Sequence, residues 1–282
     1  MNKYHNKDVL HINKVKLLIK DLNRSINFYE NILGMHTHEI KDGVANLGTK
    51  DKVLLTLVEN KNAMIKSKTT GLYHVAYLLD SENELANFLY NALKNNVEFQ
   101  GFSDHGASNA IYLLDPDLNG IEMYFDLDDS KWFNQDVLSL TTKLLDVESL
   151  LKKVTNKLEF KMNNNTIIGH VHFSVSDLDE GLNYFQNIIG FDLLLKWPNA
   201  AFLSDKKYHH HIGMNVWRSK NTINRPNDMV GLISYHLNVK NKDELIERLN
   251  NNNIKIYSNK DKSYFYDLNN CIVYIWGEYE KN

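Results

Sequence analysis

Only one cysteine, Cys271, stands among 282 residues. No disulfide framework and no thiolate cluster can form within a chain, so any metal must be held by imidazole and carboxylate. A surplus of either charge is also lacking: 32 Lys and Arg face 35 Asp and Glu, a net charge of -3. That balance leaves no electrostatic footprint for a nucleic-acid backbone or an anionic membrane, so neither is expected as a partner. No apolar run approaches the length of a bilayer span, and the opening MNKYHNKDVLHINKVK has no apolar segment of the secretory kind. A cytoplasmic location is the expectation. What is present is 43% hydrophobic content, enough for one large or two ordinary domains, and twelve histidines.

The chain repeats itself. INKVKLLIKDLNRSINFYENILGM from Ile12 lies in register with IGHVHFSVSDLDEGLNYFQNIIGF from Ile168. Each copy opens with alternating apolar residues, Val15-Leu17-Ile19 and Val171-Phe173-Val175, the pattern of a half-buried strand. Asp21 and Asp177 follow as helix caps, then apolar residues at helical spacing, then Gly34 and Gly190 where a helix would end. Weaker copies begin at Gly71 and Gly231, and short strand-like runs follow each helix, so a β-α-β-β-β unit is expected four times. The longest connector, from Asp126 to about Asn165, carries one expected helix in VESLLKKVT.

Four such modules resemble the vicinal-oxygen-chelate superfamily, which includes glyoxalase I, bleomycin-resistance proteins and extradiol dioxygenases. IGHVHFSVSDL, YHHHIGMNVW and DPDLNGIEMY are most similar to the catechol 2,3-dioxygenase proteins of low-GC Gram-positive bacteria. The resemblance covers nearly the whole chain and implies an α+β fold in which four βαβββ modules form two paired curved-sheet barrels. The expected organisation is a first domain over residues 8–126, a connector with a helix over 127–166 and a second domain over 167–278.

In that superfamily a module supplies metal ligands from its first and last strands. Carried onto this chain, the resemblance gives module one Lys14 where its partner has His170, and module two His74 and Glu122. Module three has His170, with His209, His210 and His211 expected in its last strand in place of a carboxylate; module four has Ser234 and Val273, neither a ligand. His74, His170 and Glu122 make a facial set of two imidazoles and one carboxylate, which leaves three positions open on iron(II). The set requires modules two and three to face each other, within one chain or across a swapped dimer. Pairing one with two and three with four would leave each half incomplete.

The resemblance further implies that His210 moves protons and polarises bound oxygen, that Tyr112 binds a catechol hydroxyl and that His105 is a third acid or base. The bland readings are that the His run is a solvated edge strand, Tyr112 an ordinary strand aromatic, and His105 and His236 structural. Trp197, Phe202, Met214 and Trp217 either line an aromatic pocket or fill core. The expected activity is iron(II)-dependent extradiol cleavage of a catechol-type aromatic by dioxygen in aromatic catabolism, with a homo-oligomer allowed. The alternatives are a glyoxalase-type isomerase or a transferase using Mn, Zn or Ni, and a nonenzymatic small-molecule binding or resistance protein.

Overall fold

The computed structural model describes residues 2–259 and 262–276. The β-α-β-β-β plan occurs four times. Module one comprises β1 (His11–Ile19), α1 (Leu22–Asn31), β2 (His36–Lys41), β3 (Val44–Gly48) and β4 (Val53–Glu59). Module two comprises β5 (Gly71–Leu78), α2 (Glu82–Lys94), β6 (Phe99–Asp104), β7 (Ser108–Leu114) and β8 (Gly120–Asp126). The connector holds three two-residue strands, β9 (Phe133–Asn134), β10 (Val137–Leu138) and β11 (Lys143–Leu144), and the short helix α3 (Val147–Leu151). Module three follows as β12 (Ile167–Ser174), α4 (Leu178–Leu182) widening into a π-type turn, β13 (Asp192–Trp197), β14 (Ala200–Ser204) and β15 (Ile212–Asn215). Module four is β16 (Gly231–Asn238), α5 (Lys242–Asn251), β17 (Tyr257–Asn259), β18 (Lys262–Tyr266) and β19 (Ile272–Trp276). The end of the expected second domain, residues 277–278, lies outside the described residues.

Local signals act where the chain places them. Asp21 accepts a hydrogen bond from the Arg24 amide, and Asp177 accepts from those of Asp179 and Glu180, so each carboxylate satisfies donors at a helix start. Gly190 ends the third module's helical segment in the left-handed conformation, at φ 105.

The modules do not pair in chain order. One sheet runs β17-β18-β19-β16-β1-β4-β3-β2, joining modules one and four. The other runs β11-β6-β7-β8-β5-β12-β15-β14-β13, joining modules two and three within the one chain. Both seams are antiparallel pairs of first strands, β1 with β16 and β5 with β12. The curved sheets stand back to back. Val15 and Leu17 of β1, Val75 and Tyr77 of β5, Val171 and Phe173 of β12 and Tyr235 and Leu237 of β16 merge into a single core, with the helices packed around it. Because side chains alternate along a strand, the residues between these point into a cup on the opposite, concave face of each sheet. Among the described residues no helix is long and apolar enough to cross a membrane.

Candidate metal centre

Two rows of side chains cross the floor of the cup formed by modules two and three. In the first, Tyr112, Glu122, Ala76 and His170 are successive neighbours across β7, β8, β5 and β12. In the second, Gly120, His74, His172 and Gly213 lie across β8, β5, β12 and β15. Ala76 is too small to separate its neighbours, so the Glu122 carboxylate and the His170 ring meet above it.

His74, Glu122 and His170 converge. One Glu122 oxygen stands 2.9 Å from His74 Nε2 and 3.1 Å from His170 Nε2, and the two nitrogens are 3.3 Å apart. Three ligand atoms about 2.1 Å from one cation and at right angles stand roughly 3.0 Å from one another. The donor set therefore fits one face of an octahedron. All three side chains are buried. Burial pushes the Glu122 carboxyl up, but the charge and hydrogen bonds of His170 and His74 outweigh it and hold the group well below the usual range. Burial also lowers His170, to about 4, against the pull of Glu122. Neutral imidazole and ionised carboxylate are the forms that bind a metal.

The register corrects two expectations. His209, His210 and His211 do not lie in the last strand of module three; they form the turn before β15, because the β14–β15 connection bends through Lys206 and Lys207, both at positive φ. The residue that matches Glu122 there is Gly213, and a Cβ on it would come within 2.6 Å of His172 Nδ1. In module four the matching residue is Tyr274, not Val273, whose side chain faces the core. In the turn before β8, Leu118 takes the left-handed conformation (φ 65), and Gly120 is required because a Cβ would fall 2.1 Å from the Tyr73 carbonyl. Asp115 ties this turn by accepting from the amides of Asp117 and Asn119, which fixes where β8 and Glu122 begin.

The three expected proton-handling residues lie in the same cup. His105 Nδ1 is 2.9 Å from the Thr141 carbonyl, which can only accept, so Nδ1 carries the hydrogen. Its Nε2 is then an acceptor, and the Tyr112 hydroxyl donates to it at 2.7 Å. The Tyr112 ring lies beside His74, and burial together with Glu122 raises its phenol well above the ordinary value. His210 lines the cup with its ring centroid 4.0 Å from that of His170. His209 points away and donates from Nε2 to Asp126 at 2.8 Å. Its Nδ1 then accepts from His210 Nδ1 at 2.7 Å, which leaves His210 Nε2 as the lone-pair nitrogen when the ring is neutral. His211 turns out of the cup to the Tyr4 carbonyl and Ser204.

His172 was not singled out from sequence. It lines the same cup, edge-on to His74 at 4.9 Å between centroids, with Nε2 on the Asn215 amide at 3.0 Å. The signal was there in HVHF, since residues two apart on a strand share a face. The cup measures about 800 Å³; Trp197, Phe202 and Trp217 line it, whereas Met214 is core.

A family model described as the Glyoxalase/Bleomycin resistance protein/Dioxygenase superfamily matches residues 11–123 and 167–268. The chain is 38% identical over 242 residues to a protein of Bacillus subtilis (strain 168) named catechol-2,3-dioxygenase, covering 83% of this chain and 85% of that one. Its fold is similar to that of glyoxalase I from Zea mays, with a TM-score of 0.57 at 14% identity over 94% of this chain and 92% of that one. It is also similar to the cppA protein of Streptococcus pneumoniae TIGR4, with a TM-score of 0.54 at 13% identity over 96% of this chain and all of the other. Sequence and fold agree that the chain belongs to the glyoxalase/bleomycin resistance/dioxygenase superfamily.

Proposed function

We propose that the protein is an iron(II)-dependent extradiol dioxygenase that opens a catechol-type ring with dioxygen. The observation that carries this reading is the count of donors: His74, Glu122 and His170 converge at one point of the cup, and the place where a fourth ligand would stand is Gly213. A catecholate needs two adjacent positions and dioxygen a third, so a fourth protein ligand would obstruct the reaction. The same count disfavours the four-ligand arrangement expected of a glyoxalase-type isomerase. Bound to this set, iron(II) would supply those three positions and a path for electron density from ring to oxygen.

The chain's own residues then handle protons. A substrate hydroxyl gives its proton to the Tyr112 oxygen as the Tyr112 proton passes to His105 Nε2, so no free phenolate forms on the raised tyrosine. His210 Nε2 takes a proton on its side of the cup and returns it to oxygen later, while Asp126, acting through His209, steadies the charged ring between those steps. Trp197, Phe202 and Trp217 offer an apolar wall for the ring face and restrict water.

The test is anaerobic loading with iron(II), followed by catechol and oxygen. A yellow ring-opened product with matching oxygen uptake is expected. No uptake with any catechol or hydroquinone would overturn the reading, and turnover of a hemithioacetal with Zn, Ni or Mn would replace it with the isomerase.

A further inference from the structure

The cup on the other sheet, formed by modules one and four, has a separate lining that the ring-opening reading does not use. Its rows match those of the metal cup residue by residue. Tyr112, Glu122, Ala76 and His170 become Tyr264, Tyr274, His236 and Lys14. Gly120, His74, His172 and Gly213 become Ile272, Ser234, Lys16 and Thr56. The donors of the first cup are gone, and ammonium groups occupy two of the histidine places. The cup holds about 490 Å³, and Lys262 joins Lys14 and Lys16 in lining it, together with Asn46, Asn259 and Tyr274.

We propose that this second cup binds a small oxyanion, a phosphate or carboxylate group, on Lys14, Lys16 and Lys262. Among the described residues no carboxylate lines the cavity and none of the three lysines has an ion-pair partner; Lys262 lies over the Trp276 ring. Like charges gathered in a partly dry concavity repel, and a cation is excluded from it. An oxyanion reverses both effects by accepting several charge-assisted hydrogen bonds at once. Asn46, Thr56 and Asn259 add uncharged polar groups, so recognition is not by charge alone. The crowding acts on the basicity of the lining groups: burial, then Lys16 and Lys262, lower Lys14 to about 8, and burial followed by the lysines lowers His236 to about 3, which keeps that ring neutral. The volume suits a compact organic acid or phosphate ester rather than a polymer.

The test is calorimetric titration of the full chain with inorganic phosphate and, separately, with benzoate, at fixed ionic strength and with and without added metal. One saturable site per chain is expected for at least one of the two anions; which one binds identifies the source chemistry. Lys14→Gln should weaken binding by about tenfold or more. Lys262→Gln, at an exposed position that does not endanger folding, should weaken it severalfold. Lys207→Gln, which removes the same charge from the outer surface, should leave binding unchanged. Absence of saturable binding by either anion, or equal weakening by Lys262→Gln and Lys207→Gln, would overturn the proposal. Neither result bears on ring cleavage in the other cup.

Discussion

The two cups share one backbone plan and differ in a handful of inward residues. In one, His74, Glu122 and His170 gather ligand atoms about an octahedral face; in the other, Ser234, Tyr274 and Lys14 stand at the same lattice points and gather none. The strands keep their register because it is set on the other face, where Val15, Val75, Val171 and Tyr235 pack into one core. Concave positions are therefore free to vary without unfolding the sheet. One backbone plan thus carries, back to back in a single chain, a donor set that could hold a metal and a lining of lysines.

Substitutions can break that contrast. The largest effect is expected for Glu122→Ala, which removes the only charged donor of the set: metal affinity should fall by at least about 100-fold. Metal analysis of protein prepared without air checks this, and full retention of metal would break the distinction between the cups. Next is His210→Asn. It should lower turnover by about 100- to 10,000-fold while metal content stays the same, because the ring handles protons without being a ligand. Loss of metal in that variant would instead make His210 part of the donor set.

The second cup should respond to pH. Lys14 is lowered to about 8, and the groups that face it are Lys16, Lys262, neutral His236 and Tyr274, whose phenol burial raises. Oxyanion affinity should therefore fall severalfold between about pH 7 and about pH 9, as Lys14 loses its proton. The sign for stability is the reverse. Without anion, the unfolded chain keeps the Lys14 proton above about 8 while the folded chain releases it, so the destabilising contribution fades as pH rises from there toward 10.5. Flat affinity across that range would remove Lys14 from the site.

The smallest effect concerns the matching turns before β8 and β19. Leu118 and Asn270 both sit in the left-handed region, at φ 65 and 62, after Asp115 and Asp267 have tied their turns in the same way. Asparagine tolerates this conformation and leucine does not. Leu118→Gly should stabilise the chain by about 1 kcal/mol, measured by denaturant unfolding, whereas Asn270→Gly should change it little.

Much of the fold was legible because it rests on short-range rules. Alternation in VKLLI and VHFSV, the caps Asp21 and Asp177 and the repeat itself mark the modules, and ligand positions inside the repeat mark His74, Glu122 and His170. His172 was overlooked although its spacing from His170 places it on the same face. The His209–His211 segment was misplaced because a turn through residues at positive φ, such as Lys206 and Lys207, leaves no compositional mark when glycine is absent.

Sequence alone determined the number of modules, the start of each and which residues of the first strands share a face, since those follow from periodicity along the chain; the last strands of modules three and four depended on the turns before them. Which module faces which was decided only in three dimensions. Antiparallel pairing of β5 with β12 joins residues almost a hundred positions apart, and both first strands are buried against a common core. That choice brought two imidazoles and a carboxylate to one point, and left the lysines of the opposite cup facing one another.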